Sequence, residues 1–225
     1  MDFFIENIKE FLMFSVVFFV LGGIVEGINP APKSKERIAS IKKQILHSLP
    51  GLFMGVLTVN TWRNVVDPHL DSLQWLPRNW FGKREVYNSD AFILDTAIFI
   101  VVYDTIFYWV HRILHTSYFY RILHKEHHYH HTTMTNFASS ATSLGEIVIN
   151  SIGLCTPLLF TPIPQEMHQL YLLGTHIYSV FSHDTHLDYM NHTAHHRYHN
   201  VNYGAYTVFW DRVMNTQYRP IVKTE

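Results

Sequence analysis

Residues 103–115 read Y-D-T-I-F-Y-W-V-H-R-I-L-H and join the end of an apolar segment to a pair of histidines. In a helix, residues four apart differ by about 40° around the axis and residues seven apart by about 20°, so Asp104, His111 and His115 share one face. Two imidazoles at i and i+4 can chelate one metal ion, and Asp104 could accept the other ring N–H of His111. Two interfacial histidines beside a capping aspartate would give the same pattern, so this segment alone leaves both interpretations open.

Apolar segments flank this stretch on both sides. They cover residues 11–25, 45–62 and 91–110, and two further runs within 146–183 are separated by T-P-I-P at 161–164. A helix of about 20 apolar residues can cross a bilayer, and prolines end or kink helices. The pattern predicts an all-α integral membrane protein with about four transmembrane helices, arranged as two hairpins, and a histidine-rich helical cap. Pro50 and Gly51 predict a kinked or re-entrant second segment.

A basic linker predicts the orientation of these segments. Residues 29–44 carry Lys33, Lys35, Arg37, Lys42 and Lys43, and short loops rich in lysine and arginine stay in the cytosol. Counting crossings from this linker places the histidine groups in the cytosol as well. We expect an endoplasmic reticulum protein, or a cytoplasmic membrane protein in a bacterium. It would form one domain over residues 1–225, with membrane segments and basic or amphipathic loops in 1–90.

Composition excludes several classes of protein. The 17 Lys+Arg balance 18 Asp+Glu, which argues against a nucleic-acid binder because such proteins carry a basic face. The single cysteine, Cys155, excludes an intrachain disulfide and a thiolate metal cluster. Histidine is the unusual residue: there are 17 in the chain, and most lie between His111 and His199.

Two histidine quartets strengthen the metal interpretation. The pattern H-x-x-H-H-x-x-H occurs at residues 124–131 and again at 192–199, and on a helix each copy would form a narrow stripe. Buried imidazoles need polar partners, and a metal ion satisfies many rings at once. So many histidines exceed one coordination sphere, so two metal ions are expected. Imidazole suits zinc, copper, iron and nickel, so ligand type alone does not choose the metal.

These motifs resemble the fatty acid hydroxylase/sterol desaturase superfamily of membrane di-iron oxygenases. Its three histidine boxes correspond to H-R-I-L-H at 111–115, H-K-E-H-H at 124–128 and H-T-A-H-H at 192–196. The flanking D-x-x-x-Y-W-x-H-R, V-N-Y-G-x-Y and W-D-R patterns match as well, and the resemblance covers roughly residues 90–216. The V-N-Y-G-A-Y stretch is most similar to sterol C5-desaturase-like members. One departure is S-L-G-E at 143–146, where many members carry a histidine and a proline.

The resemblance implies a site, two iron ions as cofactors, and a catalytic region over residues 91–216. The implied ligands are His111, His115, His124, His127, His128, His183, His192, His195 and His196, with His183 taken from F-S-H-D at 181–184. Candidates for hydrogen bonds behind these ligands are Asp104, His131, His199, His176 and His186. No catalytic residue separate from the ligands is implied.

The resemblance also implies a reaction and partners. Two irons would activate O2 to hydroxylate or desaturate an unactivated C–H of a lipid, either a sterol or a fatty-acyl or sphingolipid chain. Both reactions begin with hydrogen abstraction, so the ligand pattern favours neither. Electrons would come from a donor such as cytochrome b5 and its reductase. No nucleic acid is expected as a partner.

Two alternatives come from other groups of proteins. An acyl desaturase of the other three-box superfamily would have different intervals between its boxes, and the W-D-R ending speaks against it. A histidine-rich membrane metal transporter or metal-binding protein would place its ligands near the bilayer midplane. Here the histidines instead follow the ends of apolar segments, so we favour an oxygenase.

Overall fold

The structure is a computed structural model that describes residues 2–80, 88–130 and 133–219. Within these ranges every regular element is helical and no strand occurs, which confirms the predicted all-α class. The α-helices are α1 (Asp2–Ile28), α2 (Lys35–Thr61), α3 (Asp67–Leu70), α4 (Ser89–Leu114), α5 (Ser117–Phe119), α6 (Leu144–Cys155), α7 (Gln165–Ser182), α8 (His192–Tyr198) and α9 (Phe209–Val213). Residues 81–87 of the predicted amphipathic loop and His131 lie outside the described ranges.

Helices α1 and α2 pack together across the basic linker. Ser34 caps α2, because its side chain accepts a hydrogen bond from the backbone N–H of Arg37 at 3.2 Å. Glu26, near the end of α1, accepts from Arg37 Nε at 2.7 Å and from Lys33 Nζ at 3.1 Å. The linker is therefore held against the end of α1 by charged side chains.

Helix α2 does not break at its internal proline. It runs without interruption from Lys35 to Thr61 through Pro50 and then continues as a π-helical turn over Trp62–Val66. Gly51 serves packing here, since a Cβ atom at this position would lie 2.6 Å from the carbonyl oxygen of Ser140. The prediction of a re-entrant segment was wrong, because the helix continues through these residues. Gly51 allows α2 to approach the Ser140 backbone closely and does not form a turn.

Two helices of the described chain, Phe3–Ile28 and Ser89–Leu114, are long and apolar enough to cross a membrane. Residues Leu144–Leu159 form a shorter apolar helix, of which Thr156–Leu159 is a 3-10 turn. The chain then breaks, as T-P-I-P predicts, and α7 begins at Gln165. Helix α6 packs chiefly on α2, and α7 packs chiefly on α1. The two runs also contact each other, since His168 Nε2 on α7 donates to Leu154 O on α6 at 3.0 Å.

The first histidine quartet does not form one helix. Tyr120–His124 is a π-helical turn and His127–His130 is a 3-10 turn. The predicted single stripe is therefore wrong for residues 124–130. The second quartet does form the helix α8, which ends at Tyr198, and His199 follows in the left-handed region with a φ of 65°. The left-handed backbone at His199 reverses the direction of the chain, which then runs back toward α4.

Candidate metal centre

Nine buried or half-buried histidines converge in two groups. The five-histidine group contains His111, His115, His124, His128 and His195. The four-histidine group contains His127, His183, His192 and His196. Within each group the nearest ring nitrogens all lie within 4.8 Å of one another. The structure thus brings together all nine residues that the resemblance implied as ligands, and it divides them between two positions.

Five separate elements deliver these rings. The end of α4 supplies His111 and His115, and the two turns after α5 supply three more histidines. His183 follows the last residue of α7, and α8 carries the remaining three. Each group therefore combines histidines that lie far apart in the sequence.

The Nε2 atoms of the five-histidine group point at one another. His195 Nε2 lies 3.1 Å from His115 Nε2 and 3.2 Å from His128 Nε2, while His128 Nε2 is 3.0 Å from His124 Nε2. In the four-histidine group, His196 Nε2 is 3.1 Å from His192 Nε2. Convergent ring nitrogens are the arrangement that a bound cation requires.

Backbone carbonyls occupy the opposite side of several rings. Nδ1 of His111 donates to Tyr203 O at 2.9 Å, and Nδ1 of His195 donates to Val201 O at 2.7 Å. His183 donates in the same way to Ser179 O at 2.8 Å. A neutral imidazole has one N–H and one lone pair, so these bonds leave the Nε2 lone pairs free for a metal.

Burial keeps these rings neutral. Desolvation lowers the pKa of His115 to about 3 and that of His183 to about 4. Burial also holds the pKa values of His192, His195 and His196 well below their usual range, and neighbouring histidines add to this effect. At neutral pH each ring is therefore uncharged and keeps one N–H and one lone pair.

Glu146 is a site residue that the sequence analysis did not identify. Its Oε1 atom lies 2.9 Å from His124 Nδ1, and both side chains are almost fully buried. The residue stands in the first turn of α6, where Ser143 caps the helix. The sequence does contain a signal for this residue: it is an acidic residue at the start of an apolar helix that follows a histidine box. Glu146 thus supplies a carboxyl group beside one ring of the five-histidine group, that of His124.

Asp104 does not contact His111, which corrects the expectation from helical spacing. Its carboxylate instead accepts hydrogen bonds from the backbone N–H groups of Ala205, Tyr206 and Thr207 at 2.8 to 3.2 Å, and from the Thr207 hydroxyl at 2.5 Å. The N–H of His111 is already taken by the Tyr203 carbonyl of the same loop. Asp104 therefore fixes the backbone of the loop whose Tyr203 carbonyl orients the His111 ring.

Asp211 fixes the same loop from the other side. It accepts from the backbone N–H groups of Tyr203 and Gly204, both at 2.9 Å. A Cβ atom at Gly204 would collide with the carbonyl oxygen of Thr207, so this position needs glycine. We call residues 203–207 the clamped loop, because two carboxylates hold it.

Three further candidates, His199, His186 and His176, lie outside both groups. The His199 ring packs beside His128 with 4.4 Å between ring centroids. His186 is exposed, and His176 on α7 lies against Phe14 of α1 with 5.5 Å between centroids. His131 is not among the described residues.

A cavity extends from the histidines into the helical bundle. Its volume is about 200 Å³, far above the roughly 10–15 Å³ that one water molecule needs. Histidines of both groups form part of its wall, and the rest is largely apolar, with Leu52, Val56, Val59 and Leu172 among the lining residues. A cavity of this kind suits an apolar ligand whose reacting part reaches the histidines.

The family model for fatty acid hydroxylases matches residues 96–216, more than half of the chain. The chain belongs to the fatty acid hydroxylase family. Among curated proteins, this family member is similar to several Delta(7)-sterol 5(6)-desaturases of fungi. The Saccharomyces cerevisiae protein is 32% identical over 194 residues, which cover 83% of this chain and 51% of that protein.

Two other relatives of this hydroxylase-family chain bear the same description. The Schizosaccharomyces pombe protein is 27% identical over 73% of this chain and 59% of its own length. The Candida albicans protein is 34% identical over 58% of this chain and 36% of its own length. The chain thus matches between about a third and three-fifths of each relative's length. No solved structure shows a significant match.

Membership of the fatty acid hydroxylase family implies iron, and the residues present fit it. His195 presents a lone pair on Nε2 toward the Nε2 atoms of His115 and His128, an arrangement that a cation between them would satisfy. The Nε2 atoms of His111 and His183 are buried without any hydrogen-bond partner. Imidazole nitrogens are accepted iron ligands. Two metal ions, one in each group, would explain why these buried nitrogens have no hydrogen-bond partner.

Proposed function

We propose that the protein is a membrane-bound di-iron oxidoreductase that uses O2 to hydroxylate or desaturate an unactivated C–H of a lipid, with a sterol favoured. The observation that carries this proposal is the convergence of nine neutral imidazoles in two groups beside a mainly apolar cavity. The similarity to Delta(7)-sterol 5(6)-desaturases supports the sterol over an acyl chain.

We assign the metal ligands by group. His111, His115, His124, His128 and His195 would hold one iron, and His127, His183, His192 and His196 would hold the other. When bound, the two irons supply O2 activation and the removal of hydrogen from the substrate carbon. The protein's own contribution is a fixed tautomer for three of the rings, through the carbonyls of Tyr203, Val201 and Ser179.

The reaction needs an external reductant. Both reactions consume O2, two electrons and two protons. Hydroxylation puts one oxygen atom into the product and releases the other as water, whereas desaturation removes two hydrogens from the substrate and releases two waters. We propose a haem protein such as cytochrome b5, with its reductase, as the donor. The assignment of the metal ligands does not depend on which protein donates the electrons or on where that protein docks.

We also propose the membrane arrangement of the sequence-based prediction, with about four spans and the histidine cap in the cytosol of an endoplasmic reticulum membrane. The exposed apolar side chains of α1, including Leu12, Val16, Val20 and Ile24, support a lipid-facing helix. The start of α2 lies at the same end as the histidine cap, since Ser40 Oγ is 2.9 Å from Thr133 Oγ1. The basic linker and the cap would then share a compartment.

Lipid profiling of cells that express the protein, beside a His196→Ala variant, tests the proposal. We expect a new hydroxylated or desaturated lipid that needs O2, with iron bound to the purified wild type. The variant should lose the product and much of the iron. Identical lipid profiles in wild type and empty control, with no iron in the wild type, would exclude an oxygenase. Metal transport without lipid oxidation would instead support a transporter.

A further inference from the structure

A row of aromatic rings joins the five-histidine group to the surface of the protein. The Tyr203 ring lies 5.3 Å from His115 and 5.5 Å from His195 between ring centroids. Tyr108 follows at 6.0 Å from Tyr203, and Trp109 lies 5.4 Å from Tyr108. Tyr203 and Tyr108 are buried, whereas Trp109 is 38% exposed. We call Tyr203, Tyr108 and Trp109 the aromatic row.

Phenol and indole side chains can each give up a single electron, so such a row can conduct electrons. Aromatic pairs with centroids about 4.5–7 Å apart also occur in ordinary packing. The spacing of the rings alone therefore does not distinguish the two roles. The hydrogen bonds of the central ring do, because a phenol that loses an electron must also lose its proton.

The hydroxyl of Tyr108 has a defined direction. Arg112 Nη1 donates to its oxygen at 3.1 Å, and Thr216 Oγ1 lies 3.0 Å from the same oxygen. The Thr216 hydroxyl donates to Asp211 Oδ1 at 2.8 Å. Because a hydroxyl has one hydrogen to donate, the Tyr108 hydroxyl is the donor to Thr216. The proton of a fully buried phenol thus has a path through one hydroxyl to a buried carboxylate.

The two tyrosines differ in this respect. The Tyr203 hydroxyl donates to the backbone carbonyl of His199 at 3.2 Å, and a backbone carbonyl is too weak a base to take the proton. Arginine has no acceptor atom, so the Tyr108 proton can leave only toward Thr216. Tyr108 is therefore the ring at which an oxidised state can rest, and Tyr203 only conducts.

We propose that the aromatic row removes oxidising equivalents from the five-histidine group, one electron at a time, when no lipid occupies the cavity. The row then protects the protein from its own oxidant. This inference rests on the proposed function, because the reaction with O2 supplies the oxidant.

Electrons and protons balance at each step. One electron passes from Tyr108 through the Tyr203 ring to the oxidised metal centre, while the Tyr108 proton moves to Thr216 and the Thr216 proton moves to Asp211. Trp109 then returns an electron to Tyr108, and the proton returns by the same path. A soluble thiol gives one electron to Trp109 and releases one proton to water. The metal centre gains one electron, and the thiol becomes a thiyl radical, two of which combine as a disulfide.

An attached photo-oxidant tests the row without any reaction of O2. Ile113 is exposed and lies four residues after Trp109 on α4, so Ile113→Cys can carry a ruthenium polypyridyl label beside the indole. The native Cys155 is fully buried and leaves the labelling specific. Iron-loaded protein in lipid nanodiscs would be excited by a flash in the presence of an electron acceptor. We expect a tryptophan radical that decays into a tyrosyl radical, followed by transient absorption and by EPR.

Three variants in the labelled protein locate the radical. Tyr108→Phe keeps the ring but removes the hydroxyl, so the tryptophan radical should persist and the tyrosyl signal should be lost. Thr216→Val should slow formation of the tyrosyl radical, as D2O should in the wild type, because the proton path is interrupted or slowed. Tyr118→Phe changes an exposed tyrosine on α5 and is the matched control that should keep the signal. Iron content shows that each protein is folded.

A tyrosyl signal that survives in Tyr108→Phe, or that Tyr118→Phe abolishes, would overturn the inference. Equal rates in Thr216→Val and the wild type, in H2O and in D2O, would overturn it as well. A role of Tyr108 in packing alone predicts those equal rates.

Exposure of the unlabelled, iron-loaded proteins to O2 and a limiting reductant, without lipid, separates this inference from the proposed function. We expect the same tyrosyl signal in the wild type and faster loss of bound iron in Tyr108→Phe, with added thiol slowing the loss in the wild type only. An O2-dependent lipid product without a Tyr108 radical in either experiment would remove the aromatic row and leave the oxygenase. A light-driven Tyr108 radical without any O2-dependent radical or product would support conduction by the row and exclude the proposed reaction.

Discussion

Glu146 differs from every other group that contacts the rings, because it is a buried carboxylate rather than a backbone carbonyl. It lies 2.9 Å from His124 Nδ1, whereas His111 and His195 rely on carbonyl oxygens. A carboxylate behind a metal-bound histidine orients the ring and raises its basicity. His124 is thus the ring whose ligand strength depends most on a single side chain.

Substitution of Glu146 tests this dependence. Glu146→Gln keeps the size of the side chain but removes its ability to ionise beside His124, so we expect the iron affinity of the purified protein to fall by about 10- to 100-fold. Iron retained during titration with a chelator measures the effect. Glu126→Gln, an exposed glutamate two residues after His124, is the matched control and should retain iron. Equal iron retention in both variants would contradict this role for Glu146.

Two histidines close in sequence provide a second test at this scale. His183 is buried within the four-histidine group, and His186 is exposed three residues later. We expect His183→Ala to lose iron and O2-dependent activity, because the four-histidine group would keep only three rings. His186→Ala should keep both. Metal analysis of the purified proteins checks this difference, and loss in His186→Ala alone would reverse the assignment.

The clamped loop is the element that joins the end of the chain to the metal centre. Asp104 on α4 and Asp211 on α9 bind its backbone from two sides, and Tyr203 O then holds the His111 ring. Trp210 Nε1 also donates to Thr105 Oγ1 at 3.0 Å and attaches α9 to α4. The D-x-x-x-Y-W-x-H-R and W-D-R patterns thus meet in space although they lie a hundred residues apart.

Asp104→Asn tests the clamped loop. The amide replaces an acceptor oxygen with a donor opposite backbone N–H groups, so we expect stability to fall by about 1–3 kcal/mol. His111 would lose its fixed orientation, so iron should be lost first from the five-histidine group and the iron content should fall toward half. Thermal unfolding and metal analysis measure the two effects. Wild-type iron content in a less stable protein would mean that Asp104 serves only folding.

A buried charge network joins three helices at another part of the bundle. Arg63, in the turn after α2, lies 3.2 Å from Glu10 Oε1 on α1, and Gln169 on α7 donates to the same carboxylate at 2.5 Å. The Arg63 and Glu10 side chains are 6% and 9% exposed, so solvent does little to screen the pair.

Arg63→Met should therefore destabilise the protein strongly, by about 3–5 kcal/mol, because it leaves Glu10 buried and unpaired. The double variant with Glu10→Gln should recover a large part of this loss, since no charge remains buried. Thermal unfolding in detergent measures both. If the double variant is no more stable than the single one, the arginine acts by packing rather than by pairing with Glu10.

At the scale of the whole molecule, the proposed topology places two regions in one compartment. The basic linker and the histidine cap lie at the same end of the bundle, since Lys43 Nζ donates to the Tyr129 hydroxyl at 2.6 Å. The turn after α3 follows the far end of α2. In the proposed topology α2 crosses the membrane, so a cytosolic linker would go with a cytosolic cap and with Ser72 in the lumen.

Single cysteines test this topology. We expect Lys42→Cys and Lys125→Cys to react with a membrane-impermeant maleimide in sealed microsomes, and Ser72→Cys to react only after permeabilisation. All three positions are exposed, whereas the native Cys155 is fully buried and should give little background. Labelling of Lys42→Cys and Lys125→Cys from opposite sides would refute the shared compartment.

Local pattern accounts for much of what the sequence predicted. Apolar runs mark the cores of α1 and α4, and T-P-I-P marks the break before α7. The three histidine boxes contain eight of the nine rings that converge, and F-S-H-D at 181–184 supplies the ninth, His183. Local pattern failed where packing overrides periodicity: the first quartet folds as π and 3-10 turns, and Pro50 stays inside α2.

The sequence by itself determined the helical class, the histidines that gather, and the family, because each depends on residue type and on spacing within one segment. Only the tertiary structure decided the division of these histidines into five and four, since each group mixes rings from separate elements. It also decided that Asp104 holds the clamped loop rather than His111 and that Glu146 meets His124. Those contacts depend on how helices pack, and no periodicity along the chain encodes which faces meet.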